Sequence, residues 1–245
     1  GKIRNRGFEL VIDATPVSTS DFKWTINANG SYNKTMLLEF NQALKTFGAD
    51  TDDGSNELVA LAPGHIFGEY YTYQWAGVAQ ADDPTKNIKE GDPLFYTDAS
   101  KTDVTNLRTT AEKVWMGKSA FPVYNVGLTN EFRYKNWSLS FLLTGQFDFY
   151  VQNGVHSYTL HDGAFPTRNQ VNDALYDSWT DAPGAENYGA SNPIAVIGDD
   201  LTGRLESSRH MNKGDHIRLK EMKVSYSFGD LFKRTIGVNN LTIYL

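Results

Sequence analysis

The side chains that could do chemistry are few and badly spaced for it. There are five histidines and no cysteine, which removes disulfides, thiol nucleophiles and thiolate metal sites. His156 and His161 stand five apart. That is neither the alternate-residue spacing of one strand face nor a helical H-E-x-x-H, so both are expected to be loop histidines and no metal site is assigned. The run Asp50 to Glu57 has the composition of a calcium loop. Setting Gly54 at loop position six, however, puts Ala49 at position one, and a solvated loop is expected instead. No G-x-S-x-G elbow, P-loop or G-x-G-x-x-G follows a strand-like run. Glu9, Asp13, Glu131, Asp148 and Glu221 could be read as acid/base pairs, but charges along a hydrated barrel wall are ordinary and no catalysis is assigned to them. No catalytic residue and no cofactor is assigned, and the chain is not expected to be an enzyme. What remains is recognition chemistry. Tyr158, His161, Tyr176, Trp179 and Tyr188 cluster in one polar stretch, and such rings stack on sugars or peptide side chains while offering a polar handle. They are the candidate substrate contacts.

The net charge of −6 over 245 residues argues against a nucleic-acid partner, which would need concentrated Lys and Arg. No run approaches the roughly 18–20 apolar residues of a transmembrane helix, and Gly1 to Arg6 lack the apolar core of a signal peptide. A hydrophilic average does not exclude a membrane protein, because a transmembrane barrel needs apolar side chains only at every second position.

Period-two alternation picks out six segments in pairs. In the first, Phe8, Leu10, Ile12 and Ala14 oppose Gly7, Glu9 and Asp13, with Val11 as an exception. A turn over Thr15 to Ser20 leads to the second, where Phe22, Trp24, Ile26, Ala28 and Tyr32 oppose Lys23, Thr25, Asn27, Asn29 and Ser31. The third sets Tyr124, Val126, Leu128, Phe132 and Tyr134 on one face, with Asn130 intruding. Lys135-Asn136 then forms a tight hairpin to the fourth, which carries Trp137, Leu139, Phe141, Leu143, Phe147 and Phe149. The fifth has Met222, Val224, Tyr226 and Phe228, and the sixth begins with Leu241 and Ile243. Two long polar stretches, 35–120 and 151–215, separate the pairs. Within the first, His65 to Trp75 and Asp92 to Thr97 are expected to form an extra hairpin outside the bilayer.

Short turns alternating with long loops are the pattern of an all-β, transmembrane antiparallel barrel, whose long loops lie outside the cell. The apolar faces run longer than the usual strand of about five or six residues. Aromatics gather at segment ends, as in an interfacial girdle. The expected lipid-facing set is Phe8, Leu10, Ile12, Trp24, Ile26, Leu128, Phe132, Trp137, Leu139, Phe141, Leu143, Val224, Tyr226, Leu241 and Ile243. Arg218 and Lys220 interrupt the apolar face above Met222, either at the headgroup level against anionic lipopolysaccharide or in water. Six strands cannot close such a barrel, since an open edge in lipid strands backbone polar groups, so the chain is expected to be part of a longer polypeptide.

A set of short strings then carries a family resemblance. They are Gly1-Lys2-Ile3-Arg4-Asn5-Arg6-Gly7-Phe8-Glu9-Leu10, Ala14-Thr15-Pro16-Val17, Phe22-Lys23-Trp24 and Ser31-Tyr32-Asn33-Lys34. Further on come Pro63-Gly64-His65-Ile66-Phe67-Gly68-Glu69-Tyr70-Tyr71, Trp75-Ala76-Gly77, Trp179-Thr180, Ser207-Ser208-Arg209, Ile217-Arg218-Leu219-Lys220 and Gly237-Val238-Asn239-Asn240-Leu241. In that order they resemble the C-terminal barrel of SusC/RagA-type TonB-dependent transporters. The resemblance implies a 22-stranded barrel in the outer membrane of a Gram-negative, Bacteroidota-like cell. It further implies a plug and TonB contact outside this chain, a SusD-like surface lipoprotein as partner, and glycan or peptide cargo. A soluble or surface-attached carbohydrate-binding β-domain and a passive porin are the alternatives.

Overall fold

The computed structural model describes residues 1–40, 59–165, 167–180, 190–197, 207–229, 237 and 241–245. In chain order the strands begin with β1 (Lys2–Ser18), β2 (Phe22–Glu39), β3 (Glu69–Thr72), β4 (Trp75–Val78), β5 (Pro93–Tyr96), β6 (Val104–Thr105) and β7 (Val114–Ser119). They continue with β8 (Tyr124–Tyr134), β9 (Trp137–Phe147), β10 (Tyr150–Gln152), β11 (Met211–Lys213), β12 (His216–Ser227) and β13 (Thr242–Tyr244). Two short helices, α1 (Gly154–Thr159) and α2 (Asp173–Tyr176), lie between β10 and β11. The fold is that of a β-barrel wall, open because this chain supplies only part of it.

The chain divides into two compact units. The wall unit comprises Ile3–Thr35, Phe121–Phe149 and Gly214–Leu245. Its strands belong to one six-stranded sheet in the order β1-β2-β8-β9-β12-β13, with antiparallel pairing from Phe22↔Tyr134 to Tyr32↔Tyr124 and from Tyr124↔Phe147 to Tyr134↔Trp137. Alternating apolar and polar residues produce this sheet because each strand can then present one uniform face on each side. The β8–β9 turn is two residues long, and Lys135 adopts a left-handed φ of 52° to make it. Gly7 is needed for a different reason: a Cβ there would collide with the Tyr32 carbonyl oxygen on the neighbouring strand.

The second unit gathers Gly1–Lys2, Met36–Ala120 and Tyr150–Lys213. It is built from small sheets, β3-β7, β4-β5-β6 and β10-β11. Its core holds Phe95, Tyr70, Val78, Ile88, Leu160 and Trp179. The polar stretches 35–120 and 151–215 thus contain their own packed elements rather than bare loop.

Several expectations need correction. The first turn is not Thr15 to Ser20: β1 continues to Ser18, and the chain reverses over Thr19 to Asp21, where Thr19 N–H donates to Phe22 O at 2.8 Å. Pro16 lies within β1, two residues before its end. The extra hairpin is also different. The run from His65 to Trp75 splits, with Glu69–Thr72 pairing to β7 and Trp75–Val78 pairing to β5 through Trp75↔Phe95. Ser208 holds the split open, its N–H donating to Tyr73 O and its Oγ accepting from Trp75 N–H, both at 2.9 Å. Phe149 lies past the end of β9, after Asp148 turns the chain with φ 60°, and packs on Gly214.

The largest correction concerns β12. Its register with β9 shifts between Leu219 and Glu221, leaving Lys220 as a β-bulge. Leu219 therefore opposes Leu143 and Ile217 opposes Gly145, on the apolar face, while Arg218 opposes Thr144 on the polar face. Simple alternation had placed Arg218 and Lys220 above Met222 on the apolar side. One extra residue reverses that assignment.

Candidate functional site

Directly paired residues share a face, so the registers stack the wall into layers. One layer is Phe22, Tyr134, Trp137 and Tyr226, with Ile243 beyond. Next come Trp24, Phe132, Leu139 and Val224, then Ile26, Asn130, Phe141 and Met222, then Ala28, Leu128, Leu143 and Leu219. Gly30, Val126, Gly145 and Ile217 follow, and the last layer is Tyr32, Tyr124 and Phe147. Phe8 joins that last layer by stacking on Tyr32 with centroids 5.7 Å apart. The chain thus forms an aromatic row at each end of the wall, with layers between them that mix aliphatic residues with Trp24, Phe132 and Phe141.

Tyr32 is ten positions beyond Phe22 on β2. At about 3.4 Å per residue and a tilt near 45°, the rows are separated by roughly 24 Å along a barrel axis, close to the ~25 Å apolar band between the girdles of outer-membrane barrels. The face is not packed away. Phe8, Leu10, Ile12, Trp137, Leu219, Met222 and Ile243 are each at least half exposed, whereas a soluble sheet would cover its apolar side with a second layer. In the paired layers between the two rows, among the described residues, Asn130 is the one polar intruder and is 7% exposed. Its Oδ1 accepts a hydrogen bond of 3.1 Å from the Trp24 indole N–H, which satisfies both groups.

The opposite face is mostly hydrophilic, with Ile3, Val11, Val17, Leu142 and Tyr244 as the large apolar or aromatic exceptions among the described strand residues of the wall unit. Asn27 donates to Asp13, Gln146 to Asn125 at 3.0 Å, and Ser138 and Ser225 share a hydroxyl bond of 2.5 Å. Glu9, Asp13, Glu131 and Glu221 all lie on this side by alternation and register, spread along the face as sequence reasoning expected of a hydrated wall.

In the second unit the candidate ligand residues separate by burial. His161 and Trp179 are 1% and 7% exposed, while Tyr158 and Tyr176 stand at 53% and 81%. Tyr188 lies outside the described residues, as does the acidic run 50–57. Trp179 seats its indole on Gly91, whose φ of +85° and missing Cβ make room for it. His161 Nδ1 accepts from Phe165 N–H at 3.3 Å and contacts Gln170 Nε2 at 3.1 Å. The rings offering surface to a ligand are therefore Tyr158, stacked near-parallel on Phe165 with the Arg168 guanidinium over both, and Tyr176.

Sequence reasoning missed the centre of this unit. Arg209 forms a bidentate pair with Asp162, Nη1–Oδ2 2.5 Å and Nη2–Oδ1 3.0 Å. It also donates to Asn192 Oδ1 at 2.8 Å and lies over the Trp75 ring at 4.9 Å. Both charged side chains are almost wholly buried. Burial pushes the Asp162 carboxyl above its ordinary value, and the Arg209 guanidinium opposes that rise. His156 and His210 meet through their Nδ1 atoms at 3.1 Å. Burial, then the charge of Arg209, hold His156 below its ordinary value. The signal for this cluster was the string Ser207-Ser208-Arg209, noticed only as family likeness. Among the described residues no three His, Asp or Glu side chains gather as metal ligands. The buried Arg209–Asp162 clamp, with Asn192 as third partner, ties together three separate stretches of this unit.

No protein-family model matches the chain. Among characterised proteins it is similar over its whole length to TonB-dependent receptor P3 of Formosa agariphila, at 24% identity, covering 24% of that protein. TonB-dependent receptor P26 of the same organism is 27% identical, again with the whole chain matched to 24% of its length. TonB-dependent receptor SusC of Bacteroides thetaiotaomicron is 24% identical over 95% of the chain and 21% of its own length. The chain thus spans about a quarter of the length of the curated relatives it matches. Two solved structures share the fold. The RagAB peptide transporter superposes with a TM-score of 0.78 at 17% identity, and the RagAB peptide importer in its open-open state with 0.79 at 18%. Each alignment covers 99% of this chain and about a quarter of theirs. The resemblance to SusC/RagA-type TonB-dependent transporters therefore holds in sequence and in fold.

Proposed function

We propose that this chain supplies wall strands and extracellular loops to an outer-membrane nutrient importer of a Gram-negative, Bacteroidota-like cell. The apolar face, with the lipid-facing set named from the sequence, meets hydrocarbon, and the hydrophilic face lines the lumen. The segments 35–120 and 151–215 stand outside the cell, where Tyr158 and Tyr176 are placed to touch incoming glycan or peptide. Energy from TonB enters through a plug carried by other parts of the same polypeptide, and a SusD-like surface lipoprotein captures cargo. The chain itself performs no bond chemistry.

The observation that carries this reading is the spacing of the two aromatic rows on the registered strands β2, β8 and β9. A soluble carbohydrate-binding sheet has no reason to place exposed aromatics in two parallel lines one bilayer core apart. Spin labels on single cysteines of the full-length polypeptide, with any cysteine outside this chain replaced by serine, test it. Leu139→Cys is expected to be accessible to oxygen and shielded from a water-soluble nickel reagent, and the adjacent Ser138→Cys the reverse. Equal accessibility at the two positions overturns the wall assignment.

A further inference from the structure

We infer that Arg4, Arg6 and Lys34 form a site for the phosphate groups of an outer-leaflet glycolipid, a proposal that rests on the wall reading above. Three contacts between β1 and β2 share one register: Gly7 abuts Tyr32 and Asn33, Phe8 stacks on Tyr32, and Asp13 accepts from Asn27. That register sets Arg6 opposite Lys34, and alternation puts Arg4, Arg6 and Lys34 on the same side as Phe8 and Tyr32. They are the next charged positions past the aromatic row.

The charge pattern is one-sided. Within the strands of the wall unit, every Asp and Glu falls on the hydrophilic face. The cations regularly placed on the apolar face are these three, all at one end, in a chain whose net charge is −6. Arg218 lies three positions inside the aromatic row and is turned to the hydrophilic face by the Lys220 bulge, so it does not belong to this group. Among the described residues neither Arg6 nor Lys34 has a carboxylate in ion-pair reach.

Depth fits as well. Each alternate residue advances about 5 Å along the barrel axis, so these cations sit roughly 5–10 Å beyond the aromatic row, the level of headgroup phosphate rather than acyl chain. The short turns Thr19 to Asp21 and Lys135-Asn136 lie at the other end of the strands. Short turns face the periplasm in such barrels, which directs the cationic end to the outer leaflet. Two guanidiniums and an ammonium suit a phosphomonoester, which guanidinium forks bind in bidentate fashion.

The test uses the full-length polypeptide in phosphatidylethanolamine nanodiscs containing diphosphoryl lipid A or the same lipid enzymatically dephosphorylated. Retained lipid is measured after purification. Against the triple variant Arg4→Gln, Arg6→Gln, Lys34→Gln, the unaltered protein should retain diphosphoryl lipid A on the order of a hundred-fold more strongly, from the attraction of three cations at a membrane surface. The dephosphorylated lipid should bind both equally. Heat-modifiable gel migration certifies a folded barrel. Should the triple variant not fold, Arg6→Gln alone is expected to lose roughly five-fold. Equal retention of diphosphoryl lipid A by folded variant and parent overturns the proposal, as does complete displacement of the lipid by millimolar inorganic phosphate. If Leu139→Cys also fails the oxygen-accessibility test, the wall reading has failed; if it passes, only the glycolipid site has.

Discussion

Leu142 and Leu143 are neighbours on β9 with the same side chain and opposite surroundings. Leu143 shares the apolar layer with Ala28, Leu128 and Leu219, while Leu142 opposes Thr129 and Glu221 on the hydrophilic face. Ala28 is six positions beyond Phe22 and four before Tyr32, so Leu143 sits close to the middle of the apolar band. An arginine at that depth on the lipid side costs about 2–4 kcal/mol, or roughly 30- to 900-fold in the folding equilibrium. Leu142→Arg would instead place a guanidinium in water opposite Glu221, and the change should stay within about 1 kcal/mol. Urea titration of the full-length barrel in phosphatidylcholine vesicles, read by heat-modifiable migration, measures both. If Leu142→Arg costs as much as Leu143→Arg, or more, the two faces have been assigned wrongly.

Trp24→Phe should destabilise the wall by about 1–3 kcal/mol by orphaning the Asn130 side chain, whereas Trp24→Phe with Asn130→Leu should come close to neutral; a double-mutant cycle measures the coupling. Deleting Lys220 should be tolerated, because Leu219 already faces the apolar side and Glu221 the other, while deleting Lys223 swaps the faces of everything above it and should abolish the heat-modifiable form. His156 is held below its ordinary 6.5, first by burial and then by Arg209, with Asp173 and Asp162 pulling the other way. Its folded pKa lies below its unfolded one, so the stability it contributes is complete above about pH 6.5 and is lost as pH falls through the folded value. Hydrogen exchange of Gly154–Thr159, normalised to intrinsic rates, should accelerate on acidification, and His156→Gln should flatten that response.

The wall was legible because its signal is repetitive. Ten alternating residues in β2 and eleven in each of β8 and β9 cannot be misassigned by one odd side chain, and Asn130 was recognised as an intruder without disturbing the pattern. Alternation alone could not show the Lys220 bulge, since nothing in the order Arg218-Leu219-Lys220-Glu221-Met222 says which residue drops out of register until β9 is alongside. The second unit was harder. Its strands run from two to six residues, several bury both faces, and the aromatic run Tyr70 to Trp75 divides between two partners. The Arg209–Asp162 clamp joins residues far apart in sequence, with no spacing to betray it. For the same reason His161 and Trp179 looked like free loop aromatics, although both lie inside the unit's core.

The seams of the wall also differ in how soon they can form. β1 with β2, and β8 with β9, are joined by turns of a few residues and can pair as hairpins as soon as they are made. The seam from Tyr32 to Tyr124 waits for some ninety further residues and that from Phe147 to His216 for nearly seventy, distances over which chain closure is slow. On the importer reading proposed above, two hairpins with bare aromatic rows would have to cross an aqueous compartment before those seams close. On that reading, assembly would benefit from a periplasmic escort that shields those rows.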